Sequence, residues 1–153
     1  RQSHVMFIDD DVYMCPKWDQ TLNAALAVSG AWFVLSAHSH PFNISPGKLF
    51  YQGDIHIDSA QVLSTVHMVM PWHVWDAVGW FAEPGGPGGS EDVDWCRRAR
   101  EGEVQFGVTN PHCVIHCGLK SSSGKHIVGY QQMVEQNHRV AEVYGLKDVL
   151  WGD

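Results

Sequence analysis

Apolar residues fall in short runs separated by segments at helical spacing, the rhythm of an α/β chain. Val5-Met6-Phe7-Ile8 reads as a short buried strand. A helix follows from about Pro16 to Ser29. Its positions Trp18, Leu22, Ala25 and Leu26 recur at i, i+4, i+7 and i+8 and make one apolar face. Pro16 suits the first turn and Gly30 suits the stop. Ala31 to Ser36 reads as the next strand. From His38 to Asp58 the punctuation of Pro41, Asn43, Pro46, Gly47 and Gly53 predicts a long loop. Val62 to Met70 is β-rich and predicts a strand. Pro71 to Phe81 reads as a short helix, a break at Gly79 and the aromatic pair Trp80-Phe81.

The segment Glu83-Pro84-Gly85-Gly86-Pro87-Gly88-Gly89-Ser90 fits neither helix nor strand. Behind it, Glu91 to Gly102 carries the signals of a helix at both ends. Ser90 is a suitable N-cap, and acids fill the first turn. Arg97, Arg98 and Arg100 fill the last, and Gly102 closes it. Short strands are predicted around Val104–Val108 and Cys113–Ile115, then a Ser/Gly/Lys loop from Lys120 to Lys125. A final helix runs from about Ile127 to Tyr144, with apolar positions Tyr130, Met133, Val134, Val140, Ala141 and Tyr144.

Composition narrows the class. The 153 residues suggest one domain, with a C-terminal helix and tail from 127 to 153. A hydrophobic content of 44% against 18% charged allows a packed core and argues against disorder. The net charge of −7 leaves no basic stripe for a nucleic-acid partner. No apolar run reaches the roughly 18 residues of a membrane span, and no signal peptide is evident. The chain opens at Arg1 just before a strand, which reads as part of a longer or processed product. Cys15, Cys96, Cys113 and Cys117 lack the spacing of a secreted disulfide framework and read as reduced thiols in a cytoplasmic setting. Seven Trp is high for this length, and most are expected in the core.

The candidate chemistry begins at Asp9-Asp10-Asp11, directly behind the first strand. Ligands of open α/β sheets bind at such strand ends. On an extended segment Asp9 and Asp11 point to one side and can share a hard cation. The plain alternative is a solvated acidic loop. Glu91-Asp92 at a helix start, beside a glycine-rich loop, suits a covered general base, or simply caps the helix. His116 follows a strand and adds an imidazole that a Mn-like ion accepts. His38 and His40 form a possible chelate but read as a surface pair. His112, Cys113, His116 and Cys117 offer a rival zinc set without the second knuckle that such sites use. Lys120 to Lys125 offers amides and cations to a phosphate but lacks the P-loop pattern.

Three of these blocks resemble family 2 glycosyltransferases of GT-A fold. Phe7-Ile8-Asp9-Asp10-Asp11 through Pro16-Lys17-Trp18 is similar to the D-x-D segment of that family. Val74 to Phe81, the glycine-rich loop and Glu91-Asp92-Val93-Asp94-Trp95-Cys96-Arg97-Arg98-Ala99-Arg100 resemble its acidic acceptor block. Val114-Ile115-His116-Cys117-Gly118 with Ser121-Ser122-Ser123 resembles its metal-histidine strand and loop. The blocks stand in the family's order and cover most of Val5 to Ser123.

The resemblance implies an α/β fold with a mixed, mostly parallel sheet flanked by helices. It is GT-A-like but lacks most of the N-terminal nucleotide-binding half, which the parent chain or another chain would supply. It implies Mn²⁺ or Mg²⁺ held by Asp9, Asp11 and His116, with Asp9, Asp10, Asp11, Lys120 and Lys125 at the donor diphosphate. Asp92, with Glu91 beside it, would be the catalytic base, and Trp80 and Phe81 part of the acceptor wall. The implied activity is an inverting transfer of a sugar from a nucleoside-diphosphate sugar to a carbohydrate or other hydroxyl acceptor. Two alternatives carry the same residues: an inactive glycan- or partner-binding module, and a metal-dependent hydrolase of nucleotide diphosphates.

Overall fold

The computed structural model describes residues 3–38, 44–52, 55–82, 91–117 and 130–146. In chain order the elements are β1 (His4–Ile8), β2 (Val12–Met14), α1 (Trp18–Val28), β3 (Phe33–Ser36), β4 (Ile44–Gln52) and β5 (Ile55–Ala60). Then follow β6 (His67–Pro71), α2 (Trp72–Val78), α3 (Glu91–Glu101), β7 (Gln105–Asn110), β8 (Val114–His116) and α4 (Tyr130–Val143). Six strands form one sheet in the order β1-β6-β3-β7-β5-β4, and β2 and β8 form a separate ribbon.

The fold is α/β with a mixed sheet, but the sheet is mostly antiparallel. Among the described residues only β3 and β7 run parallel, with Leu35 opposite Gly107. The other four pairings of the large sheet are antiparallel. The expectation of a mostly parallel sheet is therefore corrected. One of the antiparallel pairs, β4–β5, is hidden by the sequence in an apparent loop. Only two residues separate these strands, far too few for the crossover that parallel neighbours need. Pro46 and Gly47 read as loop punctuation, yet they lie in the edge strand β4. There the register shifts between Ile44 and Lys48 and again between Lys48 and Phe50. An edge strand tolerates a proline and a bulge because one row of its amides bonds to no neighbour.

Alternation along β3 sorts the core into two layers. Val34 faces the side covered by α2 and α3, where it packs with Met68, Met70, Trp75, Trp95, Phe106 and Val108. Phe33 and Leu35 face α1, beside Leu22, Ala25, Ile57 and Val69. A third cluster joins the ribbon to α4 through Cys15, Ala37, Cys113, Val114, Ile115, Val140 and Ala141.

Several boundaries move. The first helix begins at Trp18, because Lys17 takes a left-handed conformation (φ 64°) and leaves Pro16 in the preceding turn. It ends through the extended Ser29, and Gly30 has no positive φ. The strand expected from Val62 starts only at His67. Before it the chain is tied down by turns: Leu63 N–H donates to Cys96 Sγ (3.4 Å) and Val66 N–H to Ser64 Oγ (3.3 Å). After α3 the left-handed residue is Glu103, not Gly102. The Pro/Gly loop with Ser90, the Lys120–Lys125 loop, His40 and Ile127 lie outside the described residues. No helix among the described residues is long and apolar enough to cross a membrane.

Candidate metal centre

Asp9 leaves β1 at the point where the strand turns away from the sheet, and its N–H donates to Val66 O (3.2 Å). Three residues later the chain enters β2, whose Val12 stands opposite His116 of β8. Cys117 N–H donates to Asp11 O (2.8 Å) and locks the two chain ends together. This pairing sets His116 Nε2 3.1 Å from Asp11 Oδ1. One ligand atom from each of Asp9, Asp11 and His116 lies within 4.8 Å of the other two. Asp10 between them is exposed.

The electrostatics are those of an acidic cluster with one partner. Burial raises the Asp9 pKa, the nearby His116 opposes that rise, and the charges of Asp11, Asp10 and Glu91 add to it. Glu91 at the start of α3 is thus close enough to act on Asp9. Its Oε2 is buried and meets no hydrogen-bond partner among the described residues. Burial also raises the Asp92 pKa; the backbone amides of Val93 and Thr65 pull it partly back. Val93 N–H reaches Asp92 Oδ1 at 2.7 Å. Asp94 points elsewhere, holding Arg97 and Arg98 at 2.9 Å each. Arg98 in turn donates to Val78 O (2.6 Å) and Trp80 O (2.8 Å), tying the end of α2 to α3.

The aromatic pair divides. Phe81 packs in the core against Phe7, Trp75 and Trp95, whereas Trp80 is 79% exposed. Lys120 and Lys125 lie outside the described residues. The zinc set does not assemble. His112 Nδ1–H donates to Thr109 O (2.9 Å), and Cys113 is fully buried, its thiol pushed up to about 12 by burial. All four cysteines are free thiols.

Two histidines near the centre escaped the sequence. His38, read as part of a surface pair, is buried, and its ring meets that of His116 edge-on at 6.0 Å. His67 is fully buried in β6, and burial lowers its pKa to about 4. The signal for His67 was present: a lone polar residue inside Val66-His67-Met68-Val69-Met70. No family model and no curated protein matches the chain.

Proposed function

We propose that this chain is the catalytic part of a metal-dependent, inverting glycosyltransferase of GT-A type. The observation that carries the reading is the convergence of Asp9, Asp11 and His116 from separate segments, with Glu91 acting electrostatically on Asp9. Two carboxylates and one imidazole fit a Mn-like divalent ion, which takes hard oxygen donors and accepts one nitrogen. Such an ion would supply charge neutralisation at the departing nucleoside diphosphate.

The chain's own residues supply the rest. Asp92 takes the proton from the acceptor hydroxyl as that oxygen attacks the anomeric carbon and the bond to the diphosphate oxygen breaks. A carboxylate lifted by burial suits this work, because a base is most effective with a pKa nearer the working pH. The exposed Trp80 offers a face against which an acceptor sugar stacks. Lys120 and Lys125 fall to the diphosphate.

Calorimetry with a nucleoside-diphosphate sugar, with and without Mn²⁺, tests the reading. Binding that requires Mn²⁺ and disappears in Asp9→Asn/Asp11→Asn is expected. Absence of binding in both conditions rejects donor binding by this chain alone, and Mn²⁺ affinity unchanged in the double variant rejects the metal centre.

A further inference from the structure

β3 and β6 pair antiparallel at Leu35 and Val69. Two residues on, the same register sets Ala37 opposite His67, and there a side chain replaces the main-chain ladder. Ala37 N–H donates to His67 Nδ1 at 3.1 Å. The strands diverge here, and Ala37 O turns to the ribbon instead. It accepts from Cys113 N–H (3.0 Å) and Val114 N–H (3.2 Å) at the start of β8. On its other side His67 is the ladder partner of Ile8, the residue before Asp9. Its neighbour Val66 receives the Asp9 amide. One buried imidazole therefore connects the strand that presents Asp9 to the strand that presents His116.

The ring is an expensive choice at this position. It is fully buried, and its Nε2 has no hydrogen-bond partner among the described residues. A neutral ring that accepts at Nδ1 carries its proton on Nε2, so among the described residues this buried N–H is unsatisfied. A leucine would fill much of the space without that cost. What the imidazole supplies in return is the Nδ1 acceptor for Ala37.

We propose that His67 is a positioning residue of the candidate metal centre: the Ala37–His67 bond fixes the strand carrying His116 relative to the strand carrying Asp9. The expected effect on metal affinity rests on the metal-centre reading above; the positioning itself is a property of the metal-free protein. Residues that orient metal ligands without touching the metal typically change affinity by about 10–100-fold when lost.

The test uses the full chain with ¹⁵N-labelled histidine. In the wild type, imidazole ¹⁵N shifts at neutral pH should show His67 protonated at Nε2 only; protonation at Nδ1 overturns the proposal without any variant. His67→Asn keeps an acceptor near the Nδ1 position, and His67→Leu removes it. In the metal-free proteins the His116 ring shifts should move in His67→Leu and stay near wild type in His67→Asn. Circular dichroism establishes that each variant is folded. Mn²⁺ affinity should fall at least about tenfold in the leucine variant and be largely restored in the asparagine variant. His116 shifts unchanged in a folded His67→Leu overturn the proposal. Shifts that move as expected in a protein that binds no Mn²⁺ remove the metal reading and leave the positioning role standing.

Discussion

Gly107 sits mid-strand in β7, between β3 and β5, with Leu35 on one side and Ser59 on the other. Its missing side chain is what lets Phe33 and Ile57 meet beneath α1. A Cβ built on Gly107 would fall well inside van der Waals contact of Ile57 Cγ2 and 3.0 Å from two ring carbons of Phe33. Phe33 is 1% exposed and Ile57 0%, so neither has open space to retreat into. Overpacking a closed core costs about 1–3 kcal/mol. With a branched methyl and an aromatic ring both in the way, Gly107→Ala should lie near the upper end, about 3 kcal/mol. Urea unfolding followed by tryptophan fluorescence measures it as a lower midpoint at unchanged slope. The double-mutant cycle identifies the cause. Ile57→Ala removes the obstructing methyl and by itself costs about 2–5 kcal/mol as a cavity. The double variant should then be more stable than the sum of the two losses predicts, by about 1–2 kcal/mol. A Gly107→Ala protein within about 0.5 kcal/mol of wild type, or strict additivity in the cycle, refutes the packing argument.

Asp92→Asn should abolish sugar transfer while Mn²⁺-dependent donor binding persists in calorimetry; loss of the fold instead would reduce Asp92 to a helix-capping residue. Since burial raises the Asp92 pKa, the acid limb of the kcat/KM profile should lie higher than for an exposed aspartate. His67 is neutral in the fold, with a pKa near 4 against 6.5 in the unfolded chain. The unfolded chain therefore binds the extra proton, and this contribution is complete above pH 6.5 and is lost as pH falls toward 4. It amounts to roughly 3 kcal/mol at 1.36 kcal/mol per pKa unit. Burial of His112 acts in the same direction, so the readout is the urea stability of wild type minus that of His67→Leu, which should move in the variant's favour as pH falls across that window. Arg98→Met should cost about 2 kcal/mol by chemical denaturation, because it frees the Val78 and Trp80 carbonyls and leaves Asp94 with Arg97 alone.

Local signals were legible where one segment determines its own structure. α3 is written in its acids and arginines, α1 in the spacing of Leu22 and Ala25, and the end of β1 in the step from Ile8 to Asp9. Asp9 and Asp11 were expected to share one side of an extended segment, whereas residues 10 and 11 form a turn between β1 and β2, and both carboxylates reach the same cluster across it. The convergence of His116 with them was readable only through a resemblance, because it depends on β2 pairing with β8 across a hundred residues. Strand direction was misjudged for the same reason: an alternating pattern records which face is buried, not which neighbour lies beside it. The β4–β5 pair was lost because Pro46 and Gly47 carry the composition of a loop into an edge strand. His38 and His67 were lost because histidine is equally at home on a surface, and only the packed structure shows both rings buried.

The placement of the three candidate ligands explains why the surrounding scaffold matters. Asp9 belongs to the six-stranded sheet through β1, while Asp11 and His116 belong to the ribbon, which packs with α4 in a core cluster of its own. The Asp11–His116 distance is thus fixed within one unit by direct pairing. Asp9 is joined to that pair through Asp10, and sheet and ribbon meet again at residues 36–38 and 113–114. Every link recorded there is short and buried: Ala37 to His67, Ala37 to Cys113 and Val114, and Ser36 Oγ to both the carbonyl and the amide of His38. Burial and the charges of Asp11, Asp10 and Glu91 raise the proton affinity of Asp9, and His116 opposes them. The hydrogen bonds at Ala37 tie the strand after β3 to His67 on one side and to the start of β8 on the other, so both neighbours of the cluster are anchored to one residue.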